Sequence, residues 1–421
     1  MERPQAVLEL LPDSASTEGG ALAIGGVSAD RLAEEHGTPL LVLCEQTLRA
    51  RARAYRDAAP DALVVYGTKA LPNVAVMRLL AEEGLGADVS TLGELRFATA
   101  AGMDGTRLVV HGNNKSDREL DEAARAGAVV VLDALDEVER AARAGVERTL
   151  VRVTAGIDAD THDAIRTGHV GSKFGLPQDQ ALEAIDRSRP LGVHVHIGSQ
   201  LVDAAAARMT IDWLAALAAD CRAQLGWTPE LVDLGGGLGV RTSLDDPAPP
   251  AIGAFVGSLL AQVEHAWSLH DLPRPRLVLE PGRSLVGLAG LTLYTVGGVK
   301  RASESVTYVA VDGGMSDNPR PQLYGARYEA LLANRVDEAP AGLFRVAGKH
   351  CESGDVLIDR AELPLPRRGD VLAVPATGAY TLSMASNYNG VPRPAAVLVA
   401  NGEARVVRRR ETVEDLLAWE T

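Results

Sequence analysis

Cysteine is scarce in this chain of 421 residues: Cys44, Cys221 and Cys351 stand far apart and are odd in number. Such spacing offers neither a disulfide framework nor a zinc site, and it suits a reducing, cytoplasmic setting. Positive charge is in short supply too. Forty-two Lys and Arg against 56 Asp and Glu leave a formal net charge of -14. That balance argues against nucleic acid and anionic membranes as partners. No uninterrupted apolar run is long enough to span a bilayer. The opening Met1-Glu2-Arg3-Pro4 leads into a polar stretch without the apolar core of a signal peptide. Internal repeats and low-complexity tracts are lacking, and the Pro-rich patch at 246–250 reads as a surface loop.

What is present looks globular. Hydrophobic residues make up 46% and charged residues 23%, and the length exceeds what one core organises, which predicts two domains. Short apolar runs at 40–45, 62–70, 86–91, 107–112, 128–133, 148–154, 190–198, 230–237 and 276–282 read as strands. Between them, segments such as 74–83, 92–101 and 208–224 place apolar residues at helical spacing. This alternation predicts βαβ units and a parallel sheet, and about eight units close a (β/α)8 TIM barrel. Nine candidates make one of them a lead-in strand. Beyond residue 282 the texture changes to strands at 291–302, 306–312, 343–349, 356–363, 371–375 and 395–409, joined by Gly/Pro turns. That predicts an antiparallel β-domain, with a last helix at 413–419. The expected α/β architecture is therefore a barrel over 37–285 and a C-terminal β-domain over 286–421. Residues 1–36, with strand-like pieces at 6–11 and 21–24, are expected to join the latter.

In such a barrel chemistry sits at the C-terminal strand ends. Those positions hold Lys69, Asp88, His194, His196, the triplet Gly235, Gly236 and Gly237, and then Glu280 and Arg283. Each has a plain structural reading: a solvated lysine, turn glycines, a satisfied polar histidine. Their joint presence on one rim says more. A lysine forms a Schiff base with an aldehyde. Glycines let backbone N–H groups approach a phosphate, with a helix N-terminus expected to follow. A carboxylate keeps a pyridine nitrogen protonated, and imidazole stacks on the ring. Together they describe a pyridoxal-phosphate site.

The ordered motifs sharpen this. They are Tyr66-Gly67-Thr68-Lys69-Ala70, His111-Gly112-Asn113-Asn114-Lys115-Ser116, Ser172-Lys173-Phe174-Gly175, His196-Ile197-Gly198-Ser199-Gln200, Gly235-Gly236-Gly237-Leu238-Gly239 and Glu280-Pro281-Gly282-Arg283. They continue with Asp312-Gly313-Gly314-Met315-Ser316-Asp317-Asn318, Arg320-Pro321-Gln322-Leu323-Tyr324-Gly325, Cys351-Glu352-Ser353-Gly354-Asp355 and Gly378-Ala379-Tyr380. From Gly25 to the C-terminus the chain resembles the barrel-type (fold type III) pyridoxal-phosphate decarboxylases, and within them the diaminopimelate decarboxylases. One departure is Ala70-Leu71-Pro72-Asn73, where the family more often has an Ala-Asn pair after the lysine.

The resemblance implies roles. Lys69 would carry the cofactor, Asp88 would influence its electronics, His196 would stack on the ring and Glu280 would pair with the ring nitrogen. Ser199, Gly236, Gly237 and Tyr380 would help hold the phosphate. Arg283, Arg320 and Tyr324, with Tyr380 beside them, would grip the substrate's distal end. Cys351, as proton donor, and Glu352, on the distal ammonium, would act from a second subunit of a homodimer. For Cys351 the alternative is a small buried hydrophobe. His194 reads as structural, Asp317 and Lys173 as loop-shaping. The stretch 111–115 either approaches the phosphate or caps a helix. No metal is expected.

The implied activity is decarboxylation of meso-2,6-diaminopimelate to L-lysine and CO2, the last step of lysine biosynthesis. Fork-shaped guanidinium groups suit a distal carboxylate, which ornithine and lysine lack. The alternative is that one arginine pairs with Glu280 or the phosphate. Rival readings are a decarboxylase of ornithine, arginine or lysine, a barrel-type racemase, and a non-catalytic homologue. A racemase would favour arginine over Glu280 at the ring nitrogen, and a non-catalytic homologue would usually have lost Lys69 or Cys351.

Overall fold

The computed structural model describes residues 6–155 and 172–421. Its chain divides into two compact units. One comprises Met1–Ala50, Val240–Ala248 and Arg283–Thr421, the other Arg51–Gly239 and Pro249–Gly282.

The second unit is the barrel. Eight strands, Leu63–Gly67, Gly86–Val89, Leu108–Val110, Val129–Leu132, Arg148–Arg152, Gly192–His194, Leu231–Asp233 and Arg276–Leu279, pair in parallel in chain order. Pairing of Val278 with Leu63 closes the ring. Strands buried on both faces read as continuous apolar runs, and Val129–Leu132 is buried at every position. Val65, Val109, Val131, Leu150 and Val278 fill the core. Gly192 is required by close approach: a Cβ there would lie 1.8 Å from Leu231 O. Helix ends follow local chemistry. Ser116 and Glu119 form a capping box at the start of Asp117–Ala126, and Gly127 ends it in the left-handed region. Asn73, in the stretch that departs from the family pattern, caps Val74–Glu82 by accepting from Ala75 N and Val76 N.

The first unit is built on a nine-stranded, mostly antiparallel sheet. Its main path runs Val356–Leu363, Gly342–Ala347, Thr307–Val311, Gly290–Arg301, Leu40–Cys44, Ala395–Ala400, Glu403–Arg408. Two neighbouring pairs are parallel: Thr307–Val311 with Gly342–Ala347, and Leu40–Cys44 with Ala395–Ala400. The long strand Gly290–Arg301 is irregular between Val296 and Gly298 and serves two apolar clusters. One gathers Val42, Leu291 and Val397, the other Tyr294, Val309 and Val346.

Several expectations need correction. The lead-in strand is Leu40–Cys44, which belongs to the β-unit, so the barrel unit does not start at residue 37. Residues 240–248 also group with the β-unit. The stretch 395–409 is a hairpin, turned by Asn401 and Gly402 at φ 52° and 80°. Residues Leu8–Leu10 form a 3-10 turn rather than a strand. Ala21–Ile24 forms a small sheet with Ala15–Glu18 and Val27–Ser28, which groups with the β-unit as expected and is tied to it by Leu22 N–H donating to Ala333 O at 2.7 Å. That small sheet still buries Leu22 and Ile24 in the cluster around Val42. The last helix spans Val413–Leu417. Among the described residues no helix is long and apolar enough to cross a membrane.

Candidate active site

The barrel's C-terminal rim gathers one set of predicted residues. Lys69 sits in the 3-10 turn Thr68–Ala70, directly after the strand Leu63–Gly67. Thr68 Oγ1 donates to Asp88 O at 2.7 Å, which ties two neighbouring strand ends together. Lys69 is exposed, whereas Asp88 is only 3% exposed. Burial, then the charge of Glu280, pushes the Asp88 carboxyl up to about 6 against the opposing pull of His111 and Lys69.

Glu280 stands at the centre of a buried cluster. His111 Nε2 lies 2.6 Å from Glu280 Oε1 and 3.7 Å from Asp88 Oδ1. His194 meets His111 edge to face at 4.7 Å, and its Nε2 is 3.7 Å from Glu280 Oε2, too far for a hydrogen bond. Burial alone would raise the Glu280 carboxyl, but the charge and hydrogen bond of His111 hold it well below the usual range. Asp233 goes the other way. Burial, then the Glu280 charge, pushes it well above the carboxylate range, while its Oδ1 accepts Gly235 N–H at 2.8 Å. The rings of His194 and His196 are pulled down to about 3, in both cases chiefly by burial. Both are therefore neutral near pH 7.

The glycine triplet is a backbone cradle. Gly235 has φ +69°, and a Cβ on Gly236 would lie 2.3 Å from Glu280 O. The turn carrying Ser199 runs beside it, since Leu201 N donates to Gly237 O and Gly239 N to Leu201 O. No helix begins directly after the triplet; the next starts at Ile252. A phosphate held at the triplet would meet backbone N–H groups rather than the end of a helix that follows it directly. The residues fit pyridoxal phosphate: a lysine at the mouth, a glycine cradle and a buried anionic carboxylate. Among the described residues, buried Asp88 Oδ1, Asp233 Oδ2 and both ring nitrogens of His194 have no hydrogen-bond partner, which leaves polar atoms at the rim that a ligand could meet.

Sequence reasoning left His111 unassigned and His194 structural, and it did not single out Asp233 or Arg152. His111, Lys115 and Ser116 share one motif and do three things. His111 reaches Glu280, Lys115 Nζ forms a buried ion pair with Glu137 Oε2 at 2.8 Å, and Ser116 caps a helix. Arg152, lowered by burial, places its guanidinium carbon 4.5 Å over the Phe174 ring.

The β-unit gathers the other set. Arg283 and Arg320 place their guanidinium carbons 4.5 and 5.8 Å over the Tyr380 ring, and Arg320 lies 5.5 Å over Tyr324. Tyr380 is held there with φ +58°. Arg320 is only 7% exposed and its buried Nε has no partner among the described residues, while Tyr324 is 64% exposed. Burial, then the neighbouring Arg320 charge, lowers the Arg283 guanidinium to about 10. Neither arginine forms an ion pair with a described carboxylate of this unit. Cys351 is exposed, unlike Cys44 and Cys221, so it is not a core-filling hydrophobe. Its loop is fixed by Asp355, which accepts His350 N, His350 Nδ1 and Met315 N at 2.7–2.9 Å. Glu352 is exposed beside it. Asp317 shapes the preceding loop by accepting from Tyr294 Oη and Gly314 N.

Comparison with known proteins gives the family. The pyridoxal-binding domain of the pyridoxal-dependent decarboxylases matches residues 45–287. The diaminopimelate decarboxylase of Actinosynnema pretiosum subsp. auranticum is 46% identical, over 98% of this chain and 95% of its own. That of Bacillus subtilis (strain 168) is 43% identical, over 96% of each. The crystal structure of the M. jannaschii diaminopimelate decarboxylase in complex with L-lysine superposes with a TM-score of 0.89 at 31% identity, over 97% of this chain and 98% of that one. With strand-end chemistry, fold and full-length relatives in agreement, the chain belongs to the diaminopimelate decarboxylases, within the pyridoxal-dependent decarboxylase family.

Proposed function

We propose that the chain decarboxylates meso-2,6-diaminopimelate to L-lysine and CO2, as a homodimer with shared active sites. The observation that carries the substrate assignment is the pair Arg283 and Arg320: a half-buried and a buried cation that repel each other, neither in an ion pair with a described carboxylate of their unit. A dicarboxylate substrate supplies the missing anion; ornithine and lysine do not. L-Lysine, bound by the solved M. jannaschii relative, is the product this chain would release.

When bound, pyridoxal phosphate supplies an electron sink for the pair left behind by the departing carboxylate. Lys69 anchors it through Nζ. Glu280, kept anionic, holds the ring nitrogen protonated. Asp88 tunes the local charge, and neutral His196 offers an uncharged ring face for stacking. Gly236, Gly237, Ser199 and Tyr380 hold the phosphate. Arg283 and Arg320, with Tyr324, fix the distal carboxylate, and orientation of this kind lowers the entropic part of the barrier. Cys351 and Glu352 act from a second copy of the chain, with Cys351 Sγ delivering a proton to the α-carbon and Glu352 taking the distal ammonium. The exposure of both residues on a firmly held loop supports that role.

The test is a product assay on purified protein loaded with pyridoxal phosphate, offered meso-diaminopimelate, L-lysine, L-ornithine and L-arginine. CO2 and L-lysine from the first substrate alone are expected. A preference for any of the others overturns the substrate assignment.

A further inference from the structure

Resting on the reading of Glu280 as partner of the ring nitrogen, we propose that His111 is a positioning residue. By donating Nε2–H to Glu280 Oε1 it holds that carboxylate anionic and in one orientation. The argument begins with the loop. His111 follows the strand Leu108–Val110, and its N–H donates to Val89 O at 2.8 Å. Behind it Lys115 Nζ donates to Gly112 O at 2.5 Å and to Glu137 Oε2 at 2.8 Å, and the same Glu137 oxygen accepts Asp133 N–H at 2.8 Å. A buried ion pair thus fixes the backbone that presents the imidazole. The 2.6 Å contact with a carboxylate requires the proton on Nε2.

What makes this contact selective is the company it keeps. Asp88, Asp233 and Glu280 are three buried carboxylates, and such groups do not all ionise together. The groups acting on His111 are Glu280, Asp88, His194 and, from the end of Arg148–Arg152, Arg152. Of the three carboxylates only Glu280 lies within hydrogen-bonding distance of His111; Asp88 is at 3.7 Å. The single strong donor therefore selects which carboxylate carries the charge. The opposed directions of the carboxyl groups, Asp88 and Asp233 raised and Glu280 lowered, agree with this.

The experiment compares His111→Leu, His111→Gln, Glu280→Gln and the double variant His111→Leu/Glu280→Gln. Two readouts are taken. One is pyridoxal-phosphate affinity, from titration of the apoprotein followed by the cofactor's visible absorbance. The other is kcat and KM measured separately. Glu280→Gln and His111→Leu should each weaken cofactor binding and lower kcat by about tenfold or more, with KM little changed. The double variant should be no worse than Glu280→Gln, because His111 acts through Glu280. His111→Gln, which keeps an N–H donor, should recover most of the loss. Additive losses in the double variant overturn the proposal. So does a His111→Leu protein that binds cofactor and turns over like the parent while Glu280→Gln does not. If Glu280→Gln changes nothing, the ring-nitrogen reading itself fails. Should His111→Leu not fold, His111→Asn replaces it. Its shorter side chain must show the loss that His111→Gln lacks, and equal behaviour of the two overturns the role.

Discussion

Replacing Arg320 by methionine separates substrate reading from scaffold. Met keeps much of the apolar stem that packs near Tyr324 and Tyr380, and it removes the guanidinium, whose Nε is buried without a partner. In the parent protein that charge is also a burden, because it helps depress the neighbouring Arg283. Two effects of opposite sign follow. Loss of a charge-assisted hydrogen bond to a substrate carboxylate costs about 1.5–3 kcal/mol, roughly tenfold to a hundredfold in kcat/KM. Relief of the repulsion leaves the melting temperature no lower than in the parent. For ornithine, which has no distal carboxylate, kcat/KM should stay flat or rise. The assay is kcat/KM for meso-diaminopimelate and L-ornithine in both proteins, beside a thermal melt. An equal drop for both substrates refutes the reasoning, because Arg320 would then be supporting structure and not reading the carboxylate.

Other outcomes follow from the same geometry. Borohydride reduction of the loaded protein should fix the cofactor on Lys69; with only five lysines in the chain, peptide mapping is decisive, and a label on Lys115, Lys173, Lys300 or Lys349 refutes the assignment. Lys69→Ala and Cys351→Ala proteins, each inactive, should regain part of the activity when mixed under conditions shown to exchange subunits; no rescue refutes the shared site. Asp317 is pushed up to about 7 by burial, so its protonated form is favoured in the folded state. Its stabilising contribution is complete below its ordinary value of 3.8 and is lost as pH rises through about 7. Asp317→Asn should flatten the fall in stability across that window in denaturant titrations, and an unchanged slope counts against it.

The barrel was legible because parallel strands buried on both faces leave the same trace each time, as in Leu63–Gly67 and Val129–Leu132. The same trace explains the ambiguity of the ninth strand. Leu40–Cys44 is equally apolar and equally buried, and nothing local distinguishes it from a barrel strand. Its place is decided by pairing with Gly290–Arg301 and Ala395–Ala400, segments far along the chain. The hairpin at Asn401-Gly402 did have a local signal, since Asn-Gly is the strongest short-range turn pair, but the apolar texture on both sides masked it. The gathering of Lys69, Asp88 and Glu280 on one rim was readable because each stands at its own strand terminus. His111 and His194 were not, because their meaning lies in mutual distances that appear only when the barrel closes. The arginine pair was legible as residue types, but not the lack of an ion pair with any described carboxylate of its unit, which is a property of packing.

Burial works with opposite sign in the two units. At the barrel rim it gathers Asp88, Asp233 and Glu280, an excess of carboxyl groups relieved by His111 and by raising two of the three carboxyls. In the β-unit Arg283 and Arg320 come together, an excess of guanidinium set against the Tyr380 ring. Each arrangement is unfavourable for an isolated fold, since buried like charges cost more than they return. On the roles proposed above, each would become favourable with the right ligand charge: a protonated ring nitrogen against Glu280, a substrate carboxylate against the arginines. Stability given up at such positions is recovered on binding, and the recovery is selective. A ligand with the wrong charge leaves one cluster uncompensated. On that proposal, selection against simple diamino acids would need no steric barrier in the β-unit, because two arginines left without an anion would already disfavour them.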